Sequence, residues 1–173
     1  MKNGIFSIAL LSLISMNAFA ADGEITFEGS IVDTACTVDI GTDNKMTVTL
    51  GEISKTSFTG VGSTSSATEF NIKLKACPAA ITSATVKFDG NAYSGDPSTL
   101  ALDGGETGVA TGVGVQIKDS TETVVPLATA SSSYTLQETE ENTLPFYASY
   151  IQKAATVVAG TANATAQFTV NYN

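Results

Sequence analysis

The sequence predicts an all-β protein, a sandwich or a barrel, over the whole stretch that follows its first twenty residues. Thr, Ser, Val and Gly dominate this stretch, and helix signals in it are weak. Short runs of β-branched and aromatic residues recur between turn-rich stretches, which is typical of sandwiches and barrels. The predicted strands cover residues 24–40, 46–53, 69–75, 84–89, 112–118, 144–152 and 162–172. Loop compositions separate them at residues 59–68, 91–97, 103–108 and 128–133.

Residues 1–20 have the organisation of a secretory signal peptide. Lys2 supplies the positive n-region, residues 5–14 form the apolar h-region, and residues 18–20 (Ala-Phe-Ala) match a cleavage site. The alternative is a membrane anchor, but the apolar run is shorter than the roughly 20 residues that a spanning helix needs. We therefore expect export, and cleavage that leaves residues 21–173 as a chain of one-domain size.

The strongest period-two pattern lies at the C-terminus. The even-numbered positions from 162 to 172 are small or apolar, and the odd-numbered positions from 161 to 173 are polar. Because successive side chains of a strand point to opposite faces, this pattern predicts a long strand with one apolar face.

The segment that follows the signal peptide also alternates. Its small or apolar face consists of Ala21, Gly23, Ile25 and Phe27, and Gly29 then interrupts the run. One interpretation is an ordinary first strand that bends at Gly29, since a glycine inside a strand often marks a bend or bulge. The other is a strand that serves an incomplete neighbouring molecule. This segment alone leaves both interpretations open.

Cys36 and Cys77 are the two cysteines of the chain. In an exported protein an even number of cysteines predicts a disulfide. Closing a loop of about 41 residues is worth roughly 4 kcal/mol in the chain-entropy estimate. A metal site or a thiol nucleophile is disfavoured, because the sequence contains no His and no third Cys.

The charge balance argues against nucleic acid as a partner. The formal net charge is −9, and loss of Lys2 with the signal peptide makes it −10. All eight basic residues are lysines. Nucleic-acid binding normally needs a basic surface, whereas an acidic chain is repelled by phosphates. We interpret the acidity as a property of a water-exposed surface.

Enzymatic chemistry also lacks its usual residues. Without His, Arg or a free thiol, catalysis would have to rely on carboxylates or on a Ser–Lys pair. The acidic cluster of Glu138, Glu140 and Glu141 is typical of a solvated loop or edge. Calcium binding through Asp96, Asp103 or Glu106 would lack any recognisable loop spacing. We expect neither catalysis nor a metal.

Several short motifs follow one another in a specific order along the chain. They are Gly23-x-Ile25-x-Phe27-x-Gly29, Ile31-Val32-Asp33-x-x-Cys36, Leu50-Gly51, Phe70-Asn71-Ile72-x-Leu74-x-x-Cys77, Gly114-Val115-Gln116-Ile117, Leu144-Pro145-Phe146-x-Ala148, and Gly160 with the penultimate Tyr172. Each motif alone is weak, but their order and spacing together are specific. With the signal peptide, they make the whole chain resemble the type 1 fimbrial major-subunit family of the bacterial chaperone–usher pathway.

The resemblance implies an incomplete immunoglobulin-like β-sandwich that is completed by a donor strand from the neighbouring subunit. It divides the chain into a signal peptide (1–20), an N-terminal donor-strand extension running into the first strand (21–33) and a pilin domain (34–173). The implied donor residues are Gly23, Ile25, Phe27 and Gly29. The implied acceptor groove, which is also the chaperone contact, comprises Ala166, Phe168, Val170 and Tyr172. The implied function is a structural subunit of a bacterial surface fimbria, which polymerises by donor-strand exchange into the pilus shaft used in adhesion.

The implied partners are copies of the chain in a linear polymer, a periplasmic pilus chaperone and an outer-membrane usher. No cofactor, nucleic acid or transmembrane segment of the mature chain is expected, and export leads through the periplasm to the fimbria at the cell surface. One departure from the family pattern is that, after the expected cleavage, only two residues precede Gly23, so a side chain that fills the slot beyond Gly23 can only be that of Ala21. The alternative function is a minor adaptor or a single-domain adhesin that binds a host glycan.

Overall fold

The computed structural model describes residues 25–27, 29, 35–104, 107–138 and 140–173. The chain divides into two units, residues 1–31 and 32–173. The predicted signal peptide, Gly23 and most of the predicted extension lie outside the described residues. Within the described ranges, no helix is both long and apolar enough to cross a membrane.

The larger sheet of the second unit is antiparallel throughout. Its strands in spatial order are β1 (Thr37–Asp39), β2 (Thr68–Lys75), β8 (Asn142–Gln152), β6 (Val113–Asp119), β5 (Asp96–Leu100) and β4 (Ala92–Tyr93). Strand β8 is the longest and lies between β2 and β6, with Ile72 opposite Leu144 and Phe70 opposite Phe146. These cross-strand apolar pairs are the main unit of stabilisation in a sheet.

The smaller sheet has the order β7 (Tyr134–Thr135), β3 (Ser83–Asp89) and β9 (Gln167–Tyr172). Along β3, buried Ala84, Val86 and Phe88 alternate with half-buried residues, as period-two patterning requires. Two short 3₁₀ turns, Thr42–Asn44 and Lys55–Ser57, interrupt the chain between β1 and β2.

Phenylalanine side chains join the two sheets at the centre of the core. The rings of Phe88 and Phe146 meet edge to face at 5.1 Å, and those of Phe70 and Phe146 stack at 5.7 Å. The ring of Phe168 in β9 lies 6.5 Å from that of Phe88. Aromatic pairs of this kind contribute about 0.5–1.5 kcal/mol beyond their buried area. The inner face of β9 is therefore anchored to the core.

The predicted disulfide between Cys36 and Cys77 is present, with a Cα–Cα distance of 4.2 Å. Both cysteines are buried. The bond ties the start of β1 to the turn that follows β2. It thus fixes the point at which the chain enters the sandwich.

Replacing both cysteines with serine should lower the free energy of unfolding by about 4 kcal/mol, because the closed loop has a sequence separation of 41 residues. The measurements are the denaturant midpoint of the purified chain and its yield in the periplasm. An unchanged midpoint would contradict a stabilising role for the bond.

A buried carboxylate organises the loop between β6 and β7. Asp119 is 2% exposed. Its Oδ1 accepts hydrogen bonds from the backbone N–H and the hydroxyl of Thr121, at 2.9 and 2.7 Å, and from the N–H of Thr123 at 3.2 Å. Its Oδ2 accepts one from the N–H of Ser132 at 3.1 Å. Burial raises the pKa of Asp119, but the hydrogen bonds from Thr121 and Ser132 outweigh it and lower the pKa to about 2.

Asp119→Asn should destabilise the fold by about 1–3 kcal/mol at neutral pH, because an amide can replace only one of the two accepting oxygens. The pKa of the carboxyl is about 2 in the folded chain, against an ordinary value of 3.8. The stability from the ionised group is therefore complete above pH 3.8 and is lost as the pH falls through 2. Urea unfolding at pH 7 and at about pH 2 should show the difference between variant and wild type shrinking at the lower pH. The exposed Asp43→Asn is the control, and a pH-independent difference would contradict the assignment.

Of the seven predicted strands, four are confirmed (69–75, 84–89, 112–118 and 144–152), three differ from the prediction, and one predicted loop contains a hairpin. Residues 46–53 form no strand, and the predicted strand 162–172 begins its pairing only at Gln167. Of the predicted strand 24–40, only Thr37–Asp39 is paired among the described residues. The predicted loop 91–97 contains β4, a tight turn and the start of β5. These differences depend on whether each segment has a neighbouring strand to which it can hydrogen-bond. Residues 46–53 and 162–172 lie at the candidate site.

Candidate functional site

Strand β9 has one paired edge and one free edge. It pairs with β3 from Asp89–Gln167 to Ala84–Tyr172, and no other strand of the described chain joins it. Its apolar side chains face the core, where Phe168, Val170 and Tyr172 are half-buried. The free edge therefore presents backbone N–H and C=O groups beside an apolar surface that is only partly covered, the usual template for an added strand.

The segment 46–53 is a second flank without a partner. Val48 and Leu50 pack against the core, and Thr47 and Thr49 are exposed, so the side chains alternate as in a strand. Nevertheless, the segment forms no hydrogen bond to any residue that the structure describes. Its backbone groups are available to an incoming chain.

These two flanks run past each other in opposite directions. At one end, the hydroxyl of Tyr172 donates to the backbone oxygen of Cys36 at 3.4 Å. At the other end, the stretches 51–58 and 157–163 line a common cleft. No backbone hydrogen bond joins residues 36–58 to residues 157–173 within the described chain. We call the region between these stretches the slot.

A cleft of about 460 Å³ lies at the end of the slot remote from Tyr172. The cleft is lined by apolar side chains from both sheet and flanks, including Ile53, Phe58, Ala110, Val113, Tyr150 and Val157. Lys55 and Glu52 stand on the same flank. The cleft therefore combines an apolar lining with charged groups on one side.

The slot is electrically neutral along β9. Burial raises the pKa of the Tyr150 and Tyr172 hydroxyls, so both remain protonated at neutral pH. No described part of the chain contains a cluster of metal-binding side chains. Asp96 instead accepts from the ammonium of Lys153 at 2.6 Å, and Glu141 from that of Lys73 at 2.6 Å. An extended segment that turns one apolar, uncharged face toward the core fits the slot.

The structure brings together part of the set of residues predicted from sequence. Ala166, Phe168, Val170 and Tyr172 share the inward-facing side of the C-terminal segment. In the first unit, Ile25 is 78% exposed and Phe27 is 90% exposed, and Gly29 is exposed as well. Gly23 lies outside the described residues.

Sequence reasoning missed the opposite flank and the floor. The roles of Val48 and Leu50 were not predicted, although their alternation marked the segment as strand-like. Ala110, Val113 and Tyr150 form the floor of the cleft and come from distant parts of the chain. No local pattern in the sequence signals that they meet.

Comparison with known proteins gives consistent results. The family described as "Fimbrial protein" matches residues 25–173. The type-1 fimbrial protein A chain of Escherichia coli K12 is 40% identical, over 99% of this chain and 100% of its own. A crystal structure of a Burkholderia pseudomallei antigen and type I fimbria protein is 39% identical, with a TM-score of 0.61 over 82% of this chain and 91% of that chain. A chain from a chaperone–usher pilus structure is 24% identical, with a TM-score of 0.66 over 88% of this chain and 96% of its own, and this likeness concerns the fold.

Proposed function

The chain belongs to the fimbrial protein family and is a structural subunit of a bacterial surface fimbria, and we propose that residues 21–33 of each subunit fill the slot of its neighbour. The observation that carries this proposal is the pair of unpartnered flanks, β9 and residues 46–53, on either side of an apolar slot. The fold is an incomplete immunoglobulin-like sandwich, and the slot is the place of its missing strand.

The donor segment would act through Gly23, Ile25, Phe27 and Gly29. Alternate residues of a strand lie on one face about 6.6 Å apart, which is also the spacing of the apolar residues along β9. Burying the Ile25 and Phe27 side chains would contribute roughly 1.5–3 kcal/mol each. Gly23 would contribute backbone hydrogen bonds without a side chain.

The acceptor side would consist of Ala166, Phe168, Val170 and Tyr172. An inserted strand would hydrogen-bond to the free edge of β9 and to residues 46–53, and each such bond contributes about 0.5–1.5 kcal/mol net. Main-chain bonds would thus supply affinity, while the apolar side chains would supply register. Exchange needs no nucleotide, because the free-energy difference between two fillings of the slot can drive it.

We infer two further partners, a periplasmic chaperone and an outer-membrane usher. A sandwich with an open slot exposes apolar surface and free backbone groups, which favour aggregation. A chaperone that covers the slot during transit removes this hazard, and an usher provides the route to the surface. The signal peptide 1–20, extension 21–33 and pilin domain 34–173 are the divisions that this route requires.

A structural role is favoured over the alternatives. The family is one of structural fimbrial subunits, and an adaptor or a glycan-binding adhesin is not favoured by the relatives. A chain without His, Arg or a free thiol lacks the usual catalytic groups.

Co-expression of the chain with the chaperone and usher of a type 1 fimbrial system tests the proposal. Electron microscopy of the cell surface should show fibres that contain this chain. Omission of the usher should leave chaperone–subunit complexes in the periplasm, and omission of the chaperone should deplete the subunit. Fibres of unchanged number without either helper would contradict the proposed route.

A further inference from the structure

The stretch of chain that leads from β8 into β9 is joined to the rest of the sandwich by a set of backbone hydrogen bonds. Residues 153–161 cross residues 108–112, and six backbone hydrogen bonds of 2.7–3.1 Å join the two stretches. The bonds run from Thr111 N to Val158 O, Val158 N to Thr111 O, Ala110 N to Thr161 O, Thr161 N to Gly108 O, and from Lys153 N and Ala154 N to Gly112 O. We call this feature the glycine crossing.

Two glycines allow the stretches to approach this closely. A Cβ at Gly160 would overlap the backbone oxygen of Gly108 and lie 2.6 Å from the backbone N of Ala110. A Cβ at Gly112 would overlap the backbone oxygen of Thr156. All of these obstacles are backbone atoms, which cannot rotate away as a side chain can. Any larger residue at Gly160 must displace one of the two stretches.

The same flank is held beyond the crossing as well. The hydroxyl of Tyr150 donates to the backbone oxygen of Ala162 at 2.9 Å. The backbone N–H of Asp103 donates to the oxygen of Asn163 at 2.8 Å, and the hydroxyl of Thr165 donates to the Asp103 carboxylate at 2.8 Å. Strand β9 then continues the attachment by pairing with β3. The flank is thus fixed from Val158 to Tyr172.

Residues 51–58, on the other side of the cleft, have no comparable attachment within the described part of the chain. Between residues 51 and 58, the backbone hydrogen bonds that the structure describes are local ones, Ser57 N to Ser54 O and Phe58 N to Lys55 O. The cleft therefore has one fixed wall, residues 157–163, and one wall, residues 51–58, that no described backbone hydrogen bond joins to the rest of the sandwich.

We propose that Gly160 is a positioning residue for strand acceptance, because the glycine crossing fixes the position of one wall of the cleft that an incoming strand would enter. The inference rests on the proposed function and deepens it. A wall that is already in place lowers the conformational entropy lost on binding, since only residues 51–58 must adjust. If Gly160→Ala leaves the wall correctly placed in about a tenth of the molecules, the apparent affinity for a donor strand falls ~10-fold.

The test uses the chain from residue 21 to 173 with Phe27→Asp, which by the proposal accepts a strand but does not donate one. A fluorescent peptide of residues 21–33 is titrated into this protein and into the same protein with Gly160→Ala. The matched control is Gly60→Ala, because a Cβ at Gly60 would have no other atom within 4 Å and the residue requires no positive φ. We expect affinity to fall about 10-fold for Gly160→Ala and to be unchanged for Gly60→Ala.

Hydrogen exchange separates positioning from general unfolding. In Gly160→Ala, the amides of Ala110 and Thr161 should lose protection, while those of the β3–β9 ladder keep it. If Gly160→Ala does not fold, Tyr150→Phe, which removes the bond to Ala162 without adding bulk, should lower the affinity several-fold. If the Gly160→Ala and Gly60→Ala proteins bind the peptide with equal affinity, this inference is overturned. If Gly160→Ala does not fold, equal affinity of the Tyr150→Phe protein and its parent overturns it in the same way. Either result leaves the proposed function standing. Failure of every protein to bind the peptide would instead overturn the proposed function.

Discussion

Replacing Phe27 with Asp should abolish polymerisation and leave the sandwich of residues 35–173 folded. The side chain is 90% exposed in the subunit, so the substitution removes no contact there. In the proposed fibre the same position is buried in the neighbouring slot. Loss of the phenyl group removes roughly 1.5–3 kcal/mol, and burial of an unpaired carboxylate adds several more. A combined loss of at least about 4 kcal/mol corresponds to a decrease of at least about 1,000-fold in affinity.

The measurement is the amount of subunit in sheared surface fibres, with periplasmic subunit as the reference for folding and export. Thr26→Asp is the matched control, because residue 26 is exposed and lies on the opposite face of an extended segment. Fibres should be present with Thr26→Asp and absent with Phe27→Asp. Normal fibres with Phe27→Asp would exclude the donor role, and equal loss in both variants would point to a general effect of charge.

The strands that were predicted correctly are those whose pairing partners lie within the chain. Residues 69–75 and 84–89 alternate in sequence, and each finds its neighbour in the same subunit, so pattern and pairing agree. The alternation of residues 162–172 also holds, because every even-numbered residue in that range is half-buried and every odd-numbered one is exposed. Only the hydrogen-bonded part is shorter than predicted.

Residues 46–53 show where sequence reasoning fails and why. Their period-two pattern satisfies the requirement of a strand for one apolar face, yet a strand also needs a hydrogen-bonded partner. Within the described chain that partner is absent. The prediction of a strand was therefore wrong for the isolated subunit. It marks the place where we propose that a neighbour supplies the missing strand.

The missed hairpin has a local explanation. Tyr93 pairs with Asp96, and the two residues between them, Ser94 and Gly95, have φ angles of +47° and +83°. Positive φ at both central residues matches the twist of a two-residue hairpin turn. Residues 91–97 were predicted to be an irregular loop because turn-forming residues are common both in loops and in tight hairpins, so composition does not distinguish the two.

Pro145 illustrates the limit set by long-range contacts. A proline inside a central strand is normally unfavourable, because it lacks a backbone N–H. Here β6 ends its pairing with β8 at Phe146, one residue away, and the oxygen of Pro145 accepts from the hydroxyl of Tyr134 at 2.8 Å. Tyr134 lies in the other sheet, so no local pattern around Pro145 reveals this contact.

Appending a copy of residues 23–33 after Asn173 through a short linker should convert the subunit into a soluble, non-polymerising monomer. Strand β9 ends at Tyr172, at the end of the slot remote from the cleft, so an appended segment can turn back and run antiparallel to β9. The linker holds the segment at a millimolar effective concentration, which exceeds that of any second subunit in dilute solution. Burial of the second copies of Ile25 and Phe27 should add roughly 3–6 kcal/mol of stability, equivalent to a rise in Tm of about 10–20 °C for a chain of this size.

The control is the same appended segment with Asp in place of the second Phe27, which should polymerise or aggregate like the unmodified chain. Size-exclusion chromatography reports the oligomeric state, and thermal unfolding reports the gain in stability. A gain without loss of polymerisation would mean that the segment binds outside the slot. Loss of polymerisation in both proteins would mean that the extension blocks the C-terminal end sterically. Only a monomer that depends on the phenyl group identifies the slot as the place where one subunit receives the strand of the next.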